Sequence, residues 1–544
     1  MRVKLGFLGW LSLLLIAAGC EGSSDLGASC DPADAASCAD GLICSADAAG
    51  DNVCQIAAGG ECDVGDDPTG CVLGSACVEV TETVDGEERT LGRCLVTEGG
   101  ACDPAMPFCA PDLVCDPLVD GTSACHAPLI LRGRVFDSSD LSGIAGAHVL
   151  GLDDESVAVT DVAISIADGS YDLVVPAVRE ADGAPVSANY TLRASADGYQ
   201  TFPGGIRTAL PINASMAARD GAAYVISGTI TDIVLIELAD PAAPRAAISG
   251  NVVADGAVGG VLVVAQSGGV GWSAVSDARG AYTIFNVPPG DYEVRGYAAD
   301  LQLTPVGATV ADVDLEGVDL LASAAPLSTL SGSIQLVNAS AGTATSIVLV
   351  VRSTFDENFA RGEVPPGLRA PRTGPVSIDG SWTIAGVPDG EYVVLAAFEN
   401  DLLVRDPDQN IAGTTFVIVT LPDAAGPTVE LAESFKVTDA LAVVGPGSVE
   451  PEAVSAPPLL EWADDSSEDY YTVVVYNAYG DLVWEDPMVP NVSGSDTVTR
   501  MYEGPLEVGM YYQFRATSWR APGGRMPSPI STTEDLLGVF YGAP

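Results

Sequence analysis

The stretch "GAYTIFNVPPGDYEVRGYAADL" begins at Gly280, and "GSWTIAGVPDGEYVVLAAFENDL" begins one hundred residues later, at Gly380. Tyr292 matches Tyr392, Val294 matches Val394 and Gly290 matches Gly390. In the first copy Tyr282, Ile284 and Val287 alternate onto one face of a strand. Pro288-Pro289-Gly290 then turns the chain, because Pro presets φ and Gly permits φ above zero. Tyr292 and Val294 resume on the same face of the next strand. The pattern predicts a β-hairpin, or a corner between two strands, with one face buried. A catalytic site is normally built once, whereas a structural module is readily copied, so the echo points to tandem β-modules.

Working outward, the same order of features recurs three times. A first copy opens at "LILRGRVF" from Leu129 and continues through "DGSYDLVVP" from Asp168 and "ANYTLRASADGYQTF" from Ala188. The second opens at "AISGNVV" from Ala247 and the third at "STLSGSIQL" from Ser328. Each opening strand carries a Gly-x-Val or Gly-x-Ile step, and each later reads Gly-x-aromatic, a Pro/Gly turn and a further strand. The pattern resembles the carboxypeptidase regulatory-like domain, a prealbumin-like seven-stranded sandwich. It is also similar to the collagen-adhesin B-type repeats of bacterial surface proteins. The resemblance covers residues 247–322, 130–215 and 328–432, the last with an insertion around Arg361–Arg372. It implies modules that are not themselves peptidases.

The C-terminal stretch differs. "PPLLEW" at Pro457–Trp462 reads as a strand entering a core, and "DYYTVVVYNAYGDLVWE" as a hairpin turning at Tyr479-Gly480-Asp481. Leu506, Gly509 and Tyr512 resemble the L-x-x-G-x-x-Y corner of fibronectin type III domains. That resemblance implies a tyrosine hydroxyl bonded back to the preceding loop and Trp462 as the core tryptophan. "VVGPGSVEPEAVSAPP" from Val443 reads as a semi-rigid linker.

The N-terminus reads as an address. "MRVKLGFLGWLSLLLIAAGC" has a basic start, an apolar run from Leu5 to Ala18, and then small residues. Ala17-Ala18-Gly19-Cys20 resembles a bacterial lipobox, which implies cleavage before Cys20, its lipidation, and an envelope location with the membrane as partner. Glu21, in place of the Asp linked to inner-membrane retention, favours the outer membrane. The other twelve of the 13 cysteines fall into three groups of four. These are Cys30, Cys38, Cys44 and Cys54; Cys62, Cys71, Cys77 and Cys94; and Cys102, Cys109, Cys115 and Cys125. The groups open "GASCD", "GGECD" and "GGACD", and each keeps five residues between its second and third Cys. Units this small are usually stapled by disulfides. No CxxC-type pair is present to favour zinc. Pairing within a unit has three possibilities, and spacing does not choose among them.

The expected organisation is all-β, with tandem Ig-like or prealbumin-like sandwiches after a disulfide-rich N-terminal region. Its parts are a lipoprotein signal peptide (1–19), a lipidated tether (20–29), a Cys-rich region (30–126), three sandwiches (127–245, 246–326, 327–442), a linker (443–456) and a fibronectin type III-like domain (457–544). Modules joined pole to pole are the expected arrangement.

Composition and motifs restrict function. The formal charge is −51, with Lys+Arg 23 against Asp+Glu 74, and this repels nucleic acid. The only two histidines, His126 and His148, read as structural or solvent-exposed. No H-E-x-x-H, G-x-x-x-x-G-K-[ST] or G-x-S-x-G motif occurs. "DPDQNIAG" from Asp406 starts like a calcium loop but has Ile411 where Gly is required and Val417 where Glu is required. No cofactor, metal or catalytic residue is assigned. The chain reads as a non-catalytic, lipid-anchored envelope protein, a surface stalk, adhesion or interaction protein whose partners are glycans or envelope and surface proteins. One alternative is carbohydrate binding through a starch-binding-like sandwich, with Trp272 and Trp484 stacking on sugar rings. A remote one is a secreted hydrolase with an acidic site.

Overall fold

The structure, a computed structural model, describes residues 25–34, 37–64, 70–84, 87–204, 207–240, 243–336, 345–357, 362–372, 378, 380–398, 417–424, 426–437, 440–465, 468–492, 497–521, 523, 526–533 and 537–543. Among these residues the fold is all-β, with two single 3-10 turns and no α-helix. The chain divides into one unit of residues 1–127 with 181–183, and a second of 128–180 with 184–544. Cys20 and the Asp406 stretch up to residue 416 lie outside the described residues.

The first unit contains three cysteine repeats, each built on an antiparallel strand pair. In these pairs Cys44 faces Cys54, Cys77 faces Cys94 and Cys115 faces Cys125. Facing cysteines do not bond to each other. The disulfides run first to third and second to fourth: Cys30–Cys44, Cys38–Cys54, Cys62–Cys77, Cys71–Cys94, Cys102–Cys115 and Cys109–Cys125. The shared opening motif has a backbone cause. Gly27, Gly59 and Gly99 take φ of 78°, 81° and 80°. Their N–H groups donate to the carbonyls of Cys54, Cys94 and Cys125 at 2.7–2.8 Å. The following residues, Ala28, Gly60 and Gly100, accept from the N–H groups of the same cysteines. Glycine adopts this left-handed turn without steric cost.

In the second unit the module over 246–326 is a three-on-four sandwich. Ala246–Val253 sits between Ala281–Val287 and Leu320–Leu321, while Leu262–Ser267 and Gly290–Tyr297 form the middle of the other sheet. The module over 327–442 repeats the order strand for strand. The echoed phrase is therefore a corner between sheets rather than a hairpin. Ala281–Val287 pairs with Ala246–Val253, and Gly290–Tyr297 pairs with Leu262–Ser267. Ile284, Val287, Tyr292 and Val294 are buried, as are Ile384, Val387, Tyr392 and Val394. Tyr292 and Tyr392 each donate a hydrogen bond at 2.8 Å across the turn, to the carbonyls of Pro288 and Pro388. The ring closes the core while the hydroxyl pins the corner.

The Gly-x-Val step has an equally local explanation. Gly133, Gly250 and Gly332 lie opposite Tyr171, Tyr282 and Trp382 in their ladders. A Cβ at Gly133 would stand 2.0 Å from the carbonyl oxygen of Thr231, and one at Gly250 would stand 2.0 Å from that of Val318. Those carbonyls accept the hydroxyls of Tyr171 and Tyr282. The glycine thus admits the segment that the facing tyrosine holds.

The C-terminal module packs Trp462, Tyr471, Phe514 and Phe540, all fully buried, between two sheets. The Tyr512 hydroxyl accepts from the Glu507 N–H at 2.9 Å, the bond back to the preceding loop that the L-x-x-G-x-x-Y spacing implies. The expected linker does not hold. Val443–Gly445 pairs with Leu459–Ala463, and Glu452–Val454 pairs with Val539–Gly542, so residues 443–454 supply edge strands of this module. Gly and Pro in that segment mark a crossover between sheets, and the alternating Val residues on either side were obscured by it.

The pole-to-pole arrangement also fails within this unit. Asn286, at φ 63°, donates to the carbonyls of Ala196 and Tyr199 and accepts from Gly198 N–H, joining the first and second modules. Its counterpart Gly386, at φ 70°, accepts from Asp300 N–H, joining the second and third. The fourth module returns to the first, where Tyr511 and Val539 enter the first module's core and Thr229 donates to the Gly509 carbonyl.

Candidate functional site

The first three modules converge on a cleft of about 450 Å³. On its wall Arg193, on strand Asn189–Ser195 of the first module, makes a two-pronged ion pair with Glu363 of the third, at 2.7 and 3.1 Å. Ser273, on an edge strand of the second module, donates its hydroxyl to the same carboxylate at 2.9 Å. Burial pushes the Glu363 carboxyl up, but Arg193 and Ser273 outweigh it and leave the group below its ordinary range. A carboxylate held ionised and occupied in this way is a poor general acid. It is suited to fixing three modules around a common space.

The cleft is lined by both acidic and basic residues. Asp153, Asp154 and Glu155 stand on a turn after strand His148–Leu152, and the last two are exposed. Burial, reinforced by its acidic neighbours, raises the Asp153 carboxyl. Arg207 also lines the cleft and is only 7 % exposed. Its Nη1 donates to the Val234 carbonyl at 2.6 Å, and its guanidinium lies 5.4 Å from the Phe202 ring centre. Its Nη2 is shut off from solvent and has no hydrogen-bond partner. Burial pushes the Arg207 pKa down.

Trp272 and Trp484 lie in different modules and are not brought together. Trp272 sits edge-to-face on Tyr292 at 5.5 Å, half-buried against the second core. Trp484 sits edge-to-face on Tyr502 at 5.5 Å, with Arg500 5.5 Å above its ring. His126 is buried and His148 is half-buried, edge-on to Phe285, with burial lowering its pKa. Sequence reasoning missed Arg207 and the bridging pair Arg193 and Glu363, whose members lie 170 residues apart. The available signal was a scarce cation inside an otherwise apolar or uncharged strand, as in "YTLRAS". It also missed Tyr470 and Trp519, which face each other across two strands with near-parallel rings 6.3 Å apart.

No protein-family model matches the sequence, and no curated protein matches it. Among solved structures, the chain is similar to the major pilin subunit of Bacillus cereus, at 10% identity over 56% of this chain and 98% of that one, with a TM-score of 0.15. A DUF3823 family protein from Bacteroides ovatus matches at 14% identity over 40% of this chain and 99% of that one, with a TM-score of 0.18. A tetra-tandem repeat from the extending region of a large adhesion protein matches at 16% identity over 75% and 98%, with a TM-score of 0.12.

Proposed function

We propose that the chain is a lipid-anchored protein of the bacterial cell envelope that binds a partner through its packed β-modules and catalyses no reaction. The observation that carries this reading is the succession of a stretch that resembles a lipobox, ending at Cys20, and three cysteine repeats with every described cysteine in a disulfide. Disulfides of this density persist in oxidising compartments. The cleft supports binding over chemistry, because its Glu363 carboxylate is neutralised by Arg193 and neither histidine is among its described lining residues. The anchor is tested by Cys20→Ser in the full chain, followed by membrane fractionation. Release into the soluble fraction is expected, and retention in the pellet would reject the anchor. A second reading, glycan binding, is favoured by the partly exposed parallel pair Tyr470 and Trp519. Loss of glycan-array signal in Trp519→Ala is its test.

A further inference from the structure

We propose that the outer face of the C-terminal module binds a neutral, ribbon-like polysaccharide along a row of four rings, Pro490, Tyr470, Trp519 and Pro529. This deepens the glycan reading and rests on it. The row follows from strand register. Tyr470 lies opposite Pro490 on one side and Trp519 on the other, and Trp519 lies opposite Pro529. Paired residues in a sheet share a face, and their neighbours along each strand point the other way. Those neighbours, Val489, Tyr471, Ser518 and Ile530, are all buried. The four rings therefore stand on the outer side of the sheet, Pro490 exposed and the other three half-buried. At about 4.8 Å between strands, the row extends for about 14 Å. The first module meets strand Tyr511–Arg520 near its opposite end, where Thr208 donates to Gln513 at 3.3 Å.

The chemistry of this face selects the ligand. The Tyr470 and Trp519 rings are parallel to within 6°, and the indole N–H donates to the Thr472 hydroxyl at 2.9 Å. The polar atom of the indole is satisfied within the protein, so what the ring still offers a ligand is apolar surface. The next row on the same face is hydroxylic, since Thr472 lies opposite Thr517 and Thr517 opposite Thr532. A sugar carries apolar C–H groups on the faces of its ring and hydroxyls around the edge, which matches a band of rings bordered by a band of hydroxyls. A row set by one sheet is nearly level, so a chain whose sugar rings form a flat ribbon can touch all four members. Strand addition by a protein partner is disfavoured, because the row ends on either side in a proline, which has no N–H to donate to an incoming strand. Charge sets the last condition. Asp464, Asp465, Glu468 and Asp469 lie in the six residues before Tyr470, in a chain of net charge −51, so an acidic glycan would be repelled.

The test is calorimetric titration of the full chain, in a detergent without a sugar headgroup, with cellotetraose and N-acetylchitotetraose, both neutral and ribbon-like. Their disaccharides, the coiling maltotetraose, the acidic tetragalacturonate and tetraproline serve as comparison ligands. At least one of the two ribbon-like tetrasaccharides is expected to bind, about tenfold more tightly than its disaccharide. Trp519→Ala should weaken that binding about tenfold. Because Trp519 is half-buried, the variant Pro490→Ser, at the exposed end of the row, provides a second arm. It should weaken the tetrasaccharide while leaving the disaccharide unchanged. Absence of binding by both ribbon-like tetrasaccharides at ~10 mM overturns the proposal, as does binding that neither variant weakens. The two conclusions separate by ligand. Preference for maltotetraose or tetragalacturonate, lost in Trp519→Ala, would overturn this inference and leave the glycan reading standing. Binding of tetraproline alone, or of no sugar at all, would reject both.

Discussion

Glu468 offers a direct measurement of what burial costs in this acidic chain. It sits before strand Tyr470–Asn477 in the C-terminal module, 9 % exposed, and its Oε2 has no hydrogen-bond partner. Burial, with smaller contributions from Asp464 and Asp465, raises its carboxyl to about 7 from an ordinary 4.5. A carboxyl raised in the folded state contributes stability that is complete below the unfolded value and is lost as pH rises through the folded value. The window therefore runs from about 4.5 to about 7. At about 1.4 kcal/mol per unit, the loss reaches roughly 3 kcal/mol by pH 8. Glu468→Gln keeps the shape and removes the charge, so near pH 4 the two proteins should be about equally stable. At pH 8 the variant should be the more stable by up to about 3 kcal/mol. Urea unfolding followed by tryptophan fluorescence at several pH values measures this, since Trp462 and Trp519 belong to the same module. The many other carboxylates will tilt both curves alike, so the difference between wild type and variant isolates Glu468. Parallel curves across pH 4–8, or a variant that is less stable at pH 8, would refute the reasoning.

Gly250→Ala places a Cβ 2.0 Å from the Val318 carbonyl and should cost about 3 kcal/mol or more in chemical denaturation, whereas Gly307→Ala, with no atom within 4 Å, should be neutral within about 1 kcal/mol. Replacing Cys71 and Cys94 together by Ser opens a link spanning 23 residues and should destabilise the middle repeat by about 3 kcal/mol, seen as faster proteolysis between residues 62 and 94. Intact mass of the delipidated chain should show six disulfides and no loss of ammonia or water, because an isopeptide cross-link needs a lysine and none lies between residues 5 and 435, so no sandwich can supply one from its early strands.

What was legible in the sequence is what a module needs in order to close on itself. Alternation at Tyr282, Ile284, Tyr292 and Val294 reports a buried face, and all four side chains are buried. The spacing of Leu506, Gly509 and Tyr512 reports a corner, and the Tyr512 hydroxyl makes its bond. The grouping and even number of the cysteines report internal disulfides. Their connectivity was not legible, because all three pairings fit the same spacing. The selected pairing depends on Cys44 and Cys54, and their counterparts, facing each other across strands while bonding to earlier loops.

Contacts between modules were illegible for a different reason. Asn286 and Gly386 occupy the same place in the echoed phrase, and both take the left-handed φ that Asn and Gly tolerate best. In sequence they look like ordinary turn residues. In space each meets the preceding module, Asn286 through three hydrogen bonds and Gly386 through its carbonyl. The copied phrase thus carries two instructions, one for its own core and one for the junction with its neighbour. Only the first leaves a periodic trace, because side chains that face a core repeat every second residue, whereas a junction residue needs only one unusual dihedral. The Arg193–Glu363 pair follows from those junctions. Two modules that are not adjacent in sequence approach closely enough to share an ion pair only because each is docked on the one between them, whose Ser273 hydroxyl completes the contact. A repeat built for self-closure alone would have left no cleft, and in this chain the cleft is walled by the buried ion pair that the two junctions bring together.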